Sequence, residues 1–410
     1  MMNRSIPPLL ALLLVSSLTA VPGMATSGSS AGAPATMSVQ HEVAAIDPAD
    51  SGLQPVSNTT NRLSLEGAAR SEYAEYGPDL GVALASTDDE LRIDHTQYVT
   101  LDRQFNDATT AERRAVLQTT YDRLKDRSNT LREREKQAVR AHAAGDLSSR
   151  QLLKTLLRNY QEAAALSEAF DTLEERSDRV SGSSLSVADQ QDKLKMHRTQ
   201  IRGQLWSSAY GNGAIEYISV ETSESGYVLE TLDEDYLREA TRFDNRDTST
   251  STQFANLPEA YGHSDDLYPW AYDTGQSPSV SEYTTAQLYQ IDISHEQGQL
   301  KAYLDGGTGD IHRELQTLVP EILPPVRQQE WQKDGLEIVV NKTAANGPRK
   351  VTVTNRETDE PVTATITISG FDVGETNADG SLWYVPPSGG YELTVERPTG
   401  SNVTVPVSNS

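Results

Sequence analysis

The side chains best suited to chemistry lie in one stretch, residues 244–285, where histidine, aromatic rings and carboxylates occur together. Carboxylates beside aromatic rings can bind a sugar or a peptide, because the ring supplies apolar contact and the acid accepts hydrogen bonds. The same composition fits a loop whose rings pack over a sheet while its acids face solvent. With that packing alternative left open, the predicted partner-binding residues are Tyr261, His263, Tyr268, Trp270 and Tyr272.

A second candidate is the glycine-rich sequence DGGTGD at residues 305–310, which stands between two strand-like runs. A calcium loop needs more oxygen ligands at regular spacing than this segment offers. Its glycines permit positive φ, and the side chains of Asp305 and Thr308 can bond loop amides. We therefore predict a turn rather than a metal site.

The sequence carries no recognisable catalytic motif. Its seven histidines are scattered without a zinc-binding spacing, and it has no nucleophile elbow and no phosphate-binding loop. Because there is no cysteine, thiol catalysis, disulfides and cysteine metal sites are excluded. The sequence thus predicts a protein that is not an enzyme, with no catalytic residue, no metal and no cofactor.

The N-terminus predicts export from the cell. Residues 1–25 combine Arg4, an apolar run and small residues, which is the pattern of a signal peptide cleaved between Ala25 and Thr26. The apolar run is shorter than the ~20 residues of a membrane span, and no second run follows it. We expect a mature chain without a membrane span, secreted or held at the cell surface, with candidate glycosylation sites at Asn58, Asn341 and Asn402.

Charge restricts the kind of partner. The chain has 35 Lys and Arg against 59 Asp and Glu, a net charge of −24, which repels nucleic acid and anionic lipid. Residues 91–207 hold 20 basic and 17 acidic side chains, whereas residues 208–330 hold 6 and 22. This acidic, cysteine-free composition resembles that of proteins from salt-loving archaea. A large negative charge is tolerated there because the screening length at about 1 M salt is only about 3 Å. An ordinary acidic secreted protein is the alternative.

The first folded region is predicted to be a helical domain over residues 61–207. Apolar residues recur at helical spacing in long antiparallel helices, which Thr109 or Thr110 and Ser148 can cap. A further helix is predicted over about 187–206. The apolar stripe fits either an internal core or a coiled-coil seam for a partner, and the core is favoured.

The other segments follow from composition and from the spacing of strand-like runs. Residues 26–60 are rich in Ser, Ala, Gly and Thr and are predicted to be disordered. Residues 208–320 are acidic and tyrosine-rich, with strands around a long irregular loop at 244–285. A proline-containing linker over 321–335 precedes short strands and turns over 336–410, which predict a β-sandwich. The fold class is therefore multidomain α+β: a helical hairpin or bundle, then a small α+β domain, then an all-β sandwich.

Two regions resemble known families. Residues 287–315 resemble the last hairpin of a PepSY-like domain, with matching positions at Asp305, Thr308, Gly309 and Ile311. Domains of that family are mostly extracytoplasmic, and some restrain proteases. Residues 336–405 resemble carboxypeptidase regulatory-like, transthyretin-type sandwiches, which serve as spacers and adhesion units; the matching turn is the sequence NADG at 377–380.

The whole arrangement resembles an uncharacterised family of secreted haloarchaeal proteins. We predict a non-catalytic secreted or cell-surface interaction or structural protein of a halophilic archaeon. Its partner, a protein or a cell-surface glycan, and its oligomeric state are not specified by the sequence. The alternative is a PepSY-like inhibitor of an exported protease, and a hydrolase is a distant third.

Overall fold

The residues that the computed structural model describes are 52–97, 103–213, 215, 217–398 and 400–408. Helices dominate the first part of this range, an eight-stranded antiparallel sheet follows, and two four-stranded sheets form the C-terminal part. The predicted class, multidomain α+β with a C-terminal β-sandwich, is confirmed.

The predicted signal peptide, with its cleavage site between Ala25 and Thr26, lies outside the described residues. The prediction of disorder over 26–60 is wrong at the end of that segment, where β1 (Leu53–Gln54) pairs with β2 (Arg62–Leu63). Leu53 and Leu63 are both buried in the core beneath the central sheet. These apolar anchors outweigh the polar composition around them.

The helical layer is built around the two predicted antiparallel helices, α3 (Thr110–Ala143) and α4 (Ser149–Asp178). Thr109 and Ser148 cap them in reciprocal capping boxes with Glu112 and Gln151, as the sequence predicts. Gly145, with φ +85°, ends α3 and lets the chain reverse. The layer contains α1 (Leu80–Gln97), α2 (Arg103–Phe105), α3 (Thr110–Ala143), α4 (Ser149–Asp178), α5 (Ala188–Lys195) and α6 (Gln200–Ala209).

The apolar stripe of α3 and α4 is internal. Leu117, Leu124 and Leu131 of α3 are buried in one cluster with Leu166 and Phe170 of α4. The core interpretation of the stripe is therefore confirmed over the coiled-coil seam. None of the helices in the described ranges is long and apolar enough to cross a membrane.

The single helix predicted over about 187–206 is two helices, because the chain breaks at residues 196–199. The carbonyl oxygen of Met196 accepts a hydrogen bond from Arg313, and the hydroxyl of Thr199 donates to Glu239 Oε2 at 2.5 Å. Both partners belong to the central sheet. These bonds hold the connection between α5 and α6 against the sheet surface.

The central sheet runs in the order β3-β4-β5-β6-β10-β9-β8-β7, with every neighbouring pair antiparallel. Its first strand comes from within 61–207, so that segment is not wholly helical. Helices α4 and α6 pack on one face over β4, β5 and β6. The strands are β3 (Arg70–Glu75), β4 (Tyr217–Thr222), β5 (Gly226–Leu232), β6 (Tyr236–Arg242), β7 (Gln276–Tyr283), β8 (Leu288–His295), β9 (Gly298–Asp305) and β10 (Ile311–Leu318).

The segment 244–285, predicted as one irregular loop, contains α7 (Leu257–Leu267), α8 (Pro269–Thr274) and the edge strand β7. Asn256 caps α7 by accepting a hydrogen bond from the Glu259 amide at 3.1 Å. The two helices pack on the face of the sheet opposite to α4 and α6. Short, capped elements carry too few periodic residues to stand out in a sequence.

The segment 321–335, predicted as a linker, contains strand β11, with Pro325 at its first position, where a strand tolerates proline. The C-terminal sheets run in the orders β11-β12-β13-β16 and β15-β14-β17-β18 and enclose a shared core that also includes Tyr217 and Tyr236 of the central sheet. The strands are β11 (Pro325–Lys333), β12 (Leu336–Thr343), β13 (Arg349–Asn355), β14 (Thr365–Ile368), β15 (Phe371–Glu375), β16 (Ser381–Tyr384), β17 (Tyr391–Glu396) and β18 (Val403–Val407).

Candidate functional site

The five predicted partner-binding residues lie on α7 and α8 or between them. The prediction is wrong for Tyr268, because its side chain is fully buried and its hydroxyl donates to Glu314 Oε2 at 2.7 Å. Burial, followed by the nearby Glu314 carboxylate, raises the pKa of Tyr268 well above its ordinary value. Tyr268 therefore fastens these helices to the sheet.

The other predicted residues of this group also make internal contacts. The rings of Tyr261 and Tyr272 meet edge to face at 5.2 Å, and Trp270 meets His295 in the same way at 5.2 Å. His263 Nε2 lies 2.7 Å from the carbonyl oxygen of residue 309. Tyr261 is the most accessible of the five, at 38% exposure. The packing interpretation of this segment accounts for these contacts.

The sequence DGGTGD is a turn, as predicted. Asp305 is fully buried, and its Oδ2 accepts hydrogen bonds from the backbone amides of Asp247 and Thr308 at 3.1 and 3.0 Å. Only Gly309 of the three glycines has positive φ, at +79°. At Gly307 a Cβ would lie 2.5 Å from the carbonyl oxygen of Asp247. The glycines thus serve chain reversal and close packing.

The three candidate glycosylation sites differ in accessibility. Asn58, with φ +61°, and Asn402 are exposed. Asn341 lies within β12 and is half-buried. Glycosylation stays a prediction at all three, with the two exposed sites the more accessible to a transferase.

A buried ionic cluster joins the helical layer to the central sheet. Arg202 of α6 donates to Glu135 of α3 at 3.0 and 3.1 Å and to Glu239 of β6 at 2.8 and 3.1 Å. Arg313 of β10 donates to Glu135 at 2.7 Å, and the Tyr227 hydroxyl lies 2.8 and 2.7 Å from the two carboxylates. We call these five residues the junction network. Two arginines balance two glutamates there, away from solvent.

Electrostatics keep the junction network ionised. Burial alone would raise the pKa of Glu135 and of Glu239, but Arg202 and Arg313 outweigh burial and hold both values below the ordinary one. Burial lowers the pKa of His197, although its Nδ1 lies 3.0 Å from Glu135 Oε2. The network is therefore a set of satisfied ion pairs that docks the helices on the sheet.

A groove of about 540 Å³ opens beside the junction network. Its floor is the sheet face that α4 and α6 leave uncovered on β8 and β9, and its wall is the connection between α5 and α6. Tyr160 and Tyr283 line it as half-buried rings, and Tyr303 lies at its base. We call it the sheet groove.

Polar side chains on the floor of the sheet groove are linked across three strands. The Tyr283 hydroxyl donates to Gln290 Oε1 at 2.5 Å, and Gln290 Nε2 donates to Asp292 Oδ2 at 2.5 Å. The ammonium group of Lys301 lies 3.3 Å from Asp292 Oδ1. These contacts hold the floor in one arrangement before any ligand arrives.

The residues that line the groove are basic rather than acidic, in contrast to the chain as a whole. The cationic side chains of Lys195, Arg198 and Lys301 line it, whereas Arg238 borders it and directs its guanidinium to Glu314 and the Leu63 carbonyl oxygen on the opposite face of the sheet. No Asp or Glu is among the described residues that line the groove, but Asp192 and Asp292 lie directly beside it. Arg238 is engaged by Glu314 at 2.8 Å, and the two lysines have aspartate partners. The Arg198 side chain is exposed, and no described residue pairs with it. The groove therefore offers at least one unused cation.

This lining suits the binding of a polar, negatively charged ligand. Aromatic rings, amides and cations can hold a polar, negatively charged ligand. In the described part of the chain, no group of three or more His, Cys, Asp or Glu is arranged to hold a metal ion.

Sequence reasoning missed the sheet groove, although a signal for it exists. Along β9 the residues Gln299, Lys301 and Tyr303 alternate with buried apolar residues, and along β8 Gln290 and Asp292 do the same. A period of two with polar residues on one side marks a sheet face that is not covered by core. The junction network has no comparable local signal.

Comparisons with known proteins match three successive segments of the chain to family models. Residues 2–213 match a family described as Domain of unknown function (DUF7096), residues 218–324 match Family of unknown function (DUF7094), and residues 327–404 match Archaeal fibronectin-III type-like domain. No curated protein and no solved structure matches the chain. The C-terminal match is a fibronectin-III type, whereas the sequence resemblance points to a transthyretin-type sandwich. Since the first family model covers more than half of the 410 residues, the chain belongs to the DUF7096 family.

Proposed function

We propose that the protein is a non-catalytic binding protein outside the cell of a halophilic archaeon, with the sheet groove as its site and an acidic glycan as its ligand. The observation that carries the proposal is the lining of the groove, where cations, amides and tyrosines meet in a chain with a net charge of −24. The archaeal fibronectin-III type-like domain at residues 327–404 supports a surface or structural role.

An acidic glycan fits the chemistry of the groove better than a neutral one. The half-buried rings of Tyr160 and Tyr283 offer apolar faces to sugar rings, and Gln299 offers an exposed amide. Arg198 and Lys301 can donate charge-assisted hydrogen bonds to uronate carboxylates. A ligand of this kind supplies a carboxylate for Arg198, the cation of the lining that no described residue neutralises.

The test is calorimetric titration of the mature chain with oligogalacturonate, and with neutral dextran oligomers of the same length. We expect saturable binding of oligogalacturonate alone, weakened by about tenfold or more in Arg198→Gln/Lys301→Gln, since about 1.4 kcal/mol corresponds to a factor of ten. Arg179→Gln is the matched control, because Arg179 is an exposed residue at the end of α4 and does not line the groove.

Three results would overturn the glycan assignment. One is equal binding of oligogalacturonate to the wild type, the control and the double variant. The second is binding of dextran as strong as that of oligogalacturonate, which would make the cations irrelevant. The third is the absence of any saturable heat with either oligomer, which counts against the groove as a glycan site.

Export and adaptation to salt are further parts of the proposal. N-terminal sequencing of protein from the culture medium should give Thr26 as the first residue, and an intact Met1 would contradict export through the signal peptide. The melting temperature should fall as salt is lowered, because residues 208–330, with 6 basic and 22 acidic side chains, lose screening of their repulsion. An unchanged melting temperature between molar and millimolar salt would contradict adaptation to brine.

Regulation of an exported protease is the alternative function. The PepSY-like resemblance of residues 287–315 suggests it, and the exposed edge strand β7 favours it, because an extended peptide can add to such an edge. Pro278 and the irregular register between Gln276 and Ser279 weaken that edge. Hydrolysis of a peptide by the host's extracellular proteases, measured with and without the protein, decides: inhibition supports regulation, and an unchanged rate excludes it for those proteases.

A further inference from the structure

A second cavity, of about 370 Å³, lies between α3, α5 and the end of the central sheet. It shares no lining residue with the sheet groove. Four cationic side chains line it, and only Glu133 and Glu135 oppose them within the lining. We call it the cationic cavity, and its cations are Arg132, Lys193, Arg246 and Arg313.

Two of these cations are already neutralised by the protein. Arg313 donates to Glu135 at 2.7 Å, to the Thr241 hydroxyl at 2.9 Å and to the Met196 carbonyl oxygen. Arg246 is paired with the buried carboxylate of Asp305 and donates to a backbone carbonyl oxygen. Neither guanidinium needs a ligand to balance its charge.

The other two cations are not neutralised. Lys193 of α5 is half-buried, and within the described ranges its ammonium group has no hydrogen bond and no ion pair. Arg132 of α3 has only an exposed contact with Glu133, at 4.0 Å. A half-buried ammonium group without an acceptor is costly, because burial removes water that would otherwise solvate it.

The surroundings of Lys193 make its charge still less favourable. Burial is the largest cause that lowers the pKa of Lys193. The cations Lys125, Arg132 and Arg246 lower this pKa further, whereas Asp189 raises it. The chain has 59 Asp and Glu side chains and a net charge of −24, but none of these acids forms an ion pair with Lys193 within the described ranges. The local excess of positive charge therefore calls for an anion that the chain does not supply.

A neutral group in the cavity also has no partner. Gln287 lines the cavity at the end of the 3₁₀ turn before β8, in a left-handed conformation with φ +52°. Its Oε1 is buried and has no hydrogen-bond donor. A side-chain amide can present either its oxygen or its NH₂ group, so Gln287 can accept from a hydroxyl or donate to an oxyanion.

We propose that the cationic cavity binds a small polyatomic oxyanion, with Lys193 and Arg132 as its charged donors and Gln287 as a neutral one. The volume of about 370 Å³ admits a carboxylate, sulfate or phosphate ligand. Such a ligand bridges α3, α5 and the sheet. Because the site is partly buried, molar chloride screens it less than it screens the surface.

The test is calorimetric titration of the full mature chain with sodium sulfate, sodium phosphate and sodium succinate at constant ionic strength in sodium chloride. We expect saturable binding of at least one of the three, weakened by about tenfold or more in Lys193→Gln, equivalent to about 1.4 kcal/mol. Lys154→Gln is the matched control, because Lys154 of α4 pairs with Asp79 at 3.1 Å and lines neither this cavity nor the sheet groove. Which anion binds most tightly identifies the oxyanion class.

Melting temperatures provide the second readout. Without an oxyanion, Lys193→Gln should melt at or above the wild-type temperature, because it removes an unneutralised cation. Should that variant fail to fold, Arg132→Gln, at an exposed position, replaces it in the titration. Three results would overturn the assignment: no saturable heat with any of the three anions, equal affinity in Lys193→Gln and the wild type, or competitive loss of binding as chloride replaces an inert anion, which would indicate a halide site.

Discussion

Replacement of Arg202 by methionine should be among the most destabilising single changes in the described part of the protein. The side chain is fully buried and makes five hydrogen bonds, to Glu135, Glu239 and Tyr227. Methionine keeps much of the volume and removes the charge. Two buried carboxylates then face one remaining arginine, Arg313, so we expect a loss of about 3–5 kcal/mol in the free energy of unfolding.

The pH dependence of Arg202→Met tests the cause of that loss. Without the guanidinium, burial should raise the folded-state pKa of Glu135 or Glu239 above its unfolded value. A group with a raised folded-state pKa stabilises the fold when it is protonated and loses that stabilisation as the pH rises. The deficit relative to wild type should therefore shrink as the pH is lowered from about 8 to about 5.

Urea unfolding followed by circular dichroism measures both effects, and two further variants separate them. Arg179→Met removes an exposed arginine that lies 3.6 Å from Glu175, and should cost about 0–1 kcal/mol. Arg202→Met/Glu239→Gln removes one charge of each sign and should be more stable than Arg202→Met alone. A loss in Arg202→Met no larger than in Arg179→Met, or a deficit that does not change with pH, would refute the buried-charge explanation.

Three other outcomes follow from the packing. Burial lowers the pKa of His312 to about 3, whereas the pKa of histidine in the unfolded chain is near 6.5, so the unfolded chain takes up the proton first as the pH falls. The free energy of unfolding should therefore fall below about pH 6.5, by up to about 1.4 kcal/mol per pH unit. Urea titrations should find this decline shallower in His312→Gln. Gly380→Ala should cost about 1–3 kcal/mol by thermal melting, because Gly380 has φ +69° and a Cβ would lie 2.5 Å from the Val353 carbonyl oxygen, whereas Gly389→Ala, in open space, should be neutral. The fragment 324–410 should melt cooperatively on its own, and a fragment starting at 336 should melt lower because it lacks β11; a disordered longer fragment would contradict an independent sandwich.

Features set by neighbouring residues could be predicted from the sequence. The capping boxes at Thr109 and Ser148 need only a hydroxyl and a partner three residues later. The reversal at Gly145 and the DGGTGD turn follow from the conformational freedom of glycine. The strands of the sandwich follow from period-two alternation between turns. Each of these rests on contacts within a few residues of chain.

Features set by distant residues could not be predicted in the same way. Arg202 lies 67 residues from Glu135 and 37 from Glu239, and neither spacing carries a helical or strand period. Tyr268 has the composition of a binding residue, but its partner Glu314 comes from a strand 46 residues later. Strand β3 joins the sheet through pairing with β4, although all six helices of the helical layer lie between the two strands in the sequence. A single sequence does not contain the pairing that decides these roles.

Arginine and carboxylate side chains differ in how many partners they can satisfy when buried, and this difference helps to explain why surplus acids lie at the surface. One guanidinium can satisfy two carboxylates at once, as Arg202 does, and so arginine can be buried with full hydrogen bonding. Surplus acids then remain at the surface, where salt at molar concentration would screen their repulsion, while buried pairs would be screened little. Lowering salt should therefore reduce the stability of wild type and of Arg202→Met by similar amounts. The deficit of Arg202→Met should be nearly independent of salt, in contrast to the melting temperature of either protein.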